Sequence, residues 1–348
     1  MSSLKNPRFF LYSAGILLLL AIALNWQLLN YATLQGIGQL QIVWNSRPVS
    51  EVLNDPTTPD SIINRLKYIQ QVRSFAMDSL GLSPTDNYST YFDQENRELM
   101  WVVTACEPYS LREKIWEFPF IGKVPYKGFF SVERAKNEAY VWKNKGYDVN
   151  VRNPGGWSTL GWFKDPILSG MLTRSKGDLA SLIIHELAHS TIYVKDSSNF
   201  NENLASFIGD EGAKKFLIST FGKHAQELKE FEQEDRDYKK WVDHFLRGAN
   251  LLDSLYKSTA FKKSAESIRQ LQKQNLIRLI VHSTDTLEMA DSVNYSKRRW
   301  MEPPNNAFFM SFIRYQAMQT DFSLTYKIQF KGDIRSMIDY YRKKYPNL

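Results

Sequence analysis

His185-Glu186-Leu187-Ala188-His189 is the stretch of this chain best equipped for chemistry. Two histidines four apart on a helix share one face, one turn apart, so both imidazoles can converge on a single metal ion. Glu186 sits beside them without being a ligand, free to act as general base on a water. The chain has five histidines in all, so two of them in one H-E-x-x-H pattern carry weight. The competing reading is an amphipathic helix with two hydrogen-bonded histidines.

A catalytic zinc needs a third protein ligand and an open position for water. Ser190 to Asn201 hold neither the Gly nor the third His of the metzincin continuation. The alternative is a carboxylate on the next helix, and Glu202 in Phe200-Asn201-Glu202-Asn203 is the first one there. Ala205, Ser206 and Gly209 follow on its face, all small, so that face can approach the histidine helix closely. Asn199 to Glu202 also fits a capping box, and Asp210 and Glu211 are rival ligands. A developing oxyanion needs a further donor, for which Tyr315 is favoured over His224, His244 and His282. A core tyrosine on an aromatic helix is the plainer reading of Tyr315.

The elements that must position these residues follow from periodicity. Asp178 after Gly177 is the expected N-cap of the histidine helix. An amphipathic helix starts at Pro59-Asp60-Ser61 and stops at Gly81, and another runs from Ser131 to Lys145 with Gly146 as its stop. Strands are expected over Leu99–Ala105, Ile115–Phe118 and Tyr147–Val151. Arg47 to Thr58 reads as a turn or linker. Gly155 to Phe163 is a candidate edge strand for an extended peptide substrate, or an ordinary core strand.

The 348 residues are 43% hydrophobic and 23% charged, with a net charge of +7. That composition excludes collagen-like, low-complexity and wholly disordered chains. The basic excess has no arginine-rich block and the aromatics are scattered, so no nucleic-acid partner is expected. The single cysteine, Cys106, can make neither an internal disulfide nor a cysteine-built zinc site. It reads as a small core residue.

Lys5 and Arg8 precede an uncharged run whose most apolar part is Phe9 to Leu29. The expectation is a cytoplasmic N-terminus over 1–8, a transmembrane anchor over 9–29 and a peptidase domain over 30–348. That domain divides into a mixed α/β part (30–166) and a mainly helical part with the metal site (167–348). Positive residues before the run predict a single-pass protein of the bacterial inner membrane whose bulk faces the periplasm. The alternative is a signal peptide cleaved at Ala21-Ile22-Ala23.

Several segments together resemble the bacterial putative aminopeptidase family of zinc peptidases, in the gluzincin group. They are Arg47 to Leu53, Phe118 to Phe130, Ser158 to Pro166, the His185–His189 motif, Tyr193-Val194-Lys195, Phe200-Asn201-Glu202 and Asn305-Asn306-Ala307. The resemblance implies an α+β, zincin-like fold and a Zn2+ held by His185, His189 and Glu202, with Glu186 as base. It implies a peptide or protein substrate. Two departures stand out. Many relatives begin as lipoproteins, and this chain has no lipid-bearing Cys. Gluzincins often carry Asp four residues after the ligand Glu, and here that position is Ser206. The function expected is a membrane-anchored metallopeptidase, with aminopeptidase action implied by the family. The alternatives are an endopeptidase and a catalytically silent zinc-binding or structural protein. Nothing in the residues indicates an oligomeric state.

Overall fold

A computed structural model of the protein describes residues 11–13, 16–17, 20, 23–119, 122–154, 164–291 and 304–345. It divides into two units, Met1–Asn45 and Ser46–Leu348. In the first, helix α1 spans Trp26–Asn45. Among the described residues no helix is long and apolar enough to cross a membrane. The expected transmembrane helix over 9–29 is therefore not supported. Where the span is described it is interrupted by a turn at Asn25, and α1, which begins only at Trp26, shares four residues with it and carries Gln27, Asn30, Gln35, Gln39, Gln41 and Asn45 among its apolar residues. The inner-membrane location loses the helix from which it was read. Residues 1–8 and part of 9–29 lie outside the described residues, as does the candidate edge strand over 155–163.

The second unit is mostly helical with small sheets, which corrects the expected α+β class. Its strands run two to six residues, too short to build a layer of their own. β1 (Arg47–Pro48), β2 (Thr90–Phe92) and β8 (Ile167–Leu168) form one sheet, in which β2 pairs antiparallel with β1 and parallel with β8. β3 (Trp101–Cys106) lies between β6 (Lys127–Phe129) and β7 (Asp148–Arg152), antiparallel to both. β4 (Trp116–Phe118) pairs with β5 (Gly122–Val124). The expected turn after Arg47 contains β1 and the short helix α2 (Val49–Asn54).

Helices α3 (Asp60–Asp78), α5 (Lys176–His189) and α6 (Ser198–Phe221) share the main core. Helix α4 (Val132–Asn144) starts where expected, its N-cap Ser131 accepting the Arg134 amide. A second core joins α7 (Gln226–Lys257), α9 (Glu266–His282) and α10 (Asn306–Gln316), while α8 (Thr259–Lys263) adds Phe261 to it. The chain ends in α11 (Gln319–Ile328) and α12 (Ile334–Lys344). Leu179, Ile183, Ile184 and Leu187 of α5 are fully buried, at about 1.5–3 kcal/mol each. That apolar gain offsets the cost of also burying Glu186 and His189 on the same helix.

Close approach of α5 and α6 depends on Gly209. A Cβ built there would lie 2.8 Å from the Ser181 carbonyl oxygen and 3.1 Å from His185 Cβ. The helix-propensity gain of Gly209→Ala, about 1 kcal/mol, opposes an overpacking cost of about 1–3 kcal/mol. The clash is with backbone, so overpacking wins. Gly209→Ala should lower the melting temperature and weaken metal binding together. A raised melting temperature would contradict this packing account.

Candidate metal centre

Helix α5 starts one turn earlier than expected. Its N-cap is Ser175, whose hydroxyl accepts the Asp178 amide, while Asp178 lies in the first turn and pairs with Arg174 at 2.7 Å. The helix continues through His189, so the motif stays on one helical face as the spacing predicts. The two imidazole planes meet edge to face with centroids 4.8 Å apart.

Their Nε2 atoms are 3.1 Å apart, and Glu202 Oε2 lies 3.5 Å from each. Helix α6 begins at Ser198, with Ser197 as N-cap and no side-chain cap bond. Asn199 is thus already helical, and the Glu202 carboxylate is turned to the histidines rather than to a capping position. The rival acids point elsewhere: Asp210 accepts the Ser181 hydroxyl at 2.7 Å, and Glu211 pairs with Lys214 at 3.1 Å.

The three ligand atoms lie within 4.8 Å of one another. A tetrahedral ion with bonds of about 2.0–2.2 Å separates its ligand atoms by about 3.4 Å. The observed edges match that figure, and the donor set suits a divalent ion. Electrostatics couple the three groups. Burial alone would raise Glu202, but His189 and His185 keep its carboxyl well below the usual range. Burial would lower His189, and Glu202 outweighs this to raise it. Ser206, standing at the usual Asp position, puts its hydroxyl 3.4 Å from His185 Nδ1. That is a long hydrogen-bond distance, a weaker hold on the ring than a carboxylate would give.

The residues flanking Glu202 lock it in place. Asn201 exchanges two hydrogen bonds with the Val194 backbone, at 2.9 and 2.8 Å, pinning the loop between the two helices. Asn203 donates to the Arg314 carbonyl at 2.6 Å and accepts from the Met318 amide at 2.8 Å. The end of α10 is thereby tied beside the ligand, and Tyr315 comes with it. Burial, with Glu202 adding to it, raises Tyr315, so its phenol stays protonated and can donate. His244 bonds the Ile280 carbonyl at 2.7 Å, and His224 and His282 are exposed away from the triad.

Two tyrosines near the site were not singled out from the residue types. Tyr126 follows the β4–β5 hairpin, which is tied to the α5–α6 loop by the Lys123 amide donating to Asp196 at 3.0 Å. Burial and then Glu202 push Tyr126 up, and Tyr193 responds to burial, Asp196 and Glu202 in turn. Both lie in segments that carry the family resemblance, which was the available signal. Behind the motif, Tyr88 is fully buried within electrostatic reach of Glu186.

The family model described as Putative aminopeptidase matches residues 30–343. The chain belongs to that family. No curated protein and no solved structure matches it. Membership supports peptidase activity at a coarse level, and the segment matched contains the triad and every residue placed around it.

Asp210 gives the aminopeptidase-family chain a testable pH dependence. Burial pushes it up to about 6, against the Ser181 hydrogen bond, from about 3.9 unfolded. The folded state binds the extra proton, so this contribution is full below pH 4 and is lost as pH rises through about 6. In chemical denaturation, wild type should lose stability relative to Asp210→Asn between pH 4 and 7. A difference that stays constant or grows over that range would contradict the assignment.

Proposed function

We propose that the chain hydrolyses peptide bonds as a zinc-dependent aminopeptidase, with His185, His189 and Glu202 holding the ion. The observation that carries the reading is the convergence of those three ligand atoms beside a buried glutamate that ligates nothing. Two imidazoles and one carboxylate are a donor set that zinc takes in catalytic sites. When bound there, zinc supplies Lewis-acid polarisation of the scissile carbonyl and acidification of water.

The chain's own residues do the rest. Glu186, next to His185 on the helix, takes the proton from the attacking water and passes it to the leaving amine. Tyr315, kept protonated by burial, donates its hydroxyl to the developing oxyanion. Ser206 fixes the His185 ring. The packing around Glu186 and His189 keeps bulk water from competing.

Metal analysis with a cleavage assay tests this. The purified protein should bind one zinc per chain and release the N-terminal residue of unblocked peptides. Glu186→Gln should keep the zinc while turnover falls by about 100- to 10,000-fold, the usual contribution of a general base. Glu202→Ala should lose zinc and activity together, and Asp210→Ala should keep its zinc. Zinc binding without Glu186-dependent cleavage would make the protein a binding scaffold. Cleavage of N-acetylated peptides at internal bonds would make it an endopeptidase.

A further inference from the structure

Two guanidinium groups flank Tyr315. Arg152, at the end of β7, is half-buried, and its hydrogen-bond partner is the Tyr315 hydroxyl at 3.4 Å. Its guanidinium carbon lies 5.9 Å from the Tyr315 ring centroid, and Arg314 lies at the same distance from that ring. Arg152 has no carboxylate partner among the described residues. Arg314 is fully buried and pairs with Glu113 through Nη2, leaving Nε and Nη1 buried without hydrogen-bond partners.

This placement is fixed by the fold. Asn305 donates to the Val149 carbonyl at 2.9 Å and the Asn306 amide donates to Asp148 at 2.8 Å, tying the start of α10 to β7. Asn203 ties the end of α10 to the residue after Glu202. Arg152, Arg314 and Tyr315 therefore stand in one frame with the triad. Of the carboxylates nearby, Glu113 pairs with Arg314, Asp196 accepts the Lys123 amide and Glu202 faces the histidines, while Glu186 lies on the histidine helix itself.

A guanidinium without an acid beside it is well suited to a carboxylate, which it can hold through two parallel hydrogen bonds. We infer that Arg152, held at Tyr315 on the rim of the triad, binds a carboxylate of the peptide substrate. The group is either the α-carboxylate of a short peptide or an acidic side chain close to the scissile bond. The inference rests on the peptidase reading for its substrate class, but it stands or falls on binding.

Calorimetric titration of the zinc-loaded Glu186→Gln protein tests it without turnover. Three probes suffice: trialanine, trialanine amide and Ala-Glu-Ala amide. At least one carboxylate-bearing probe should bind ten-fold or more tightly than trialanine amide, and which one does so identifies the source of the carboxylate. Adding Arg152→Gln should erase the preference and leave trialanine amide unchanged, while Arg152→Lys should retain part of it. Equal binding of the three probes, or none, would overturn the inference. So would an Arg152→Gln effect equal on all three, which would make Arg152 a support for Tyr315. An Arg152-dependent preference with no hydrolysis by wild type would uphold carboxylate binding and reject the peptidase reading.

Discussion

The close contact between α5 and α6 is the constraint on which the rest of the site depends. His185 and His189 come from one helix and Glu202 from the other, and their ligand atoms meet at 3.1–3.5 Å only because the helices almost touch. Gly209 permits that approach, and Ala205 and Ser206 share the small face. The apolar side of α5 supplies the binding energy that keeps two polar ligands and a glutamate out of water.

Two asparagines extend this order outward. Asn201 holds the loop that leaves α5, and Asn203 holds the end of α10, with the ligand between them. Through the second, residues more than a hundred positions later are delivered to the triad. Charge follows the same plan. The histidines hold Glu202 ionised, Glu202 in turn raises His189, so an arriving cation displaces a proton there, and burial holds the surrounding phenols neutral.

How much of this was legible in the sequence depends on range. The two histidines needed only the helical repeat, whereas spacing left Glu202 level with a capping role and with Asp210 and Glu211, and the family resemblance singled it out. Its capping alternative fails because α6 starts at Ser198, a boundary that propensity does not resolve. The cap of α5 moved to Ser175 for the same reason. Strands at 101–106, 116–118 and 148–152 fall where alternation places them, but alternation does not say that they form separate small sheets in a mostly helical body. An apolar run over 9–29 read as a membrane span, whereas the helix described next to it begins only at Trp26, after a turn at Asn25, and carries a polar residue in nearly every turn. The Arg152–Tyr315 meeting joins positions 163 residues apart and has no local signal at all.

In the proposed site one ion is shared by two helices through three named atoms. Anomalous diffraction at the zinc edge, from crystals of the zinc-loaded protein, tests it most directly. One strong peak is expected within bonding distance, about 2.0–2.2 Å, of His185 Nε2, His189 Nε2 and Glu202 Oε2. A peak held by the histidines with a different acid, or no peak at this helix pair, would contradict it.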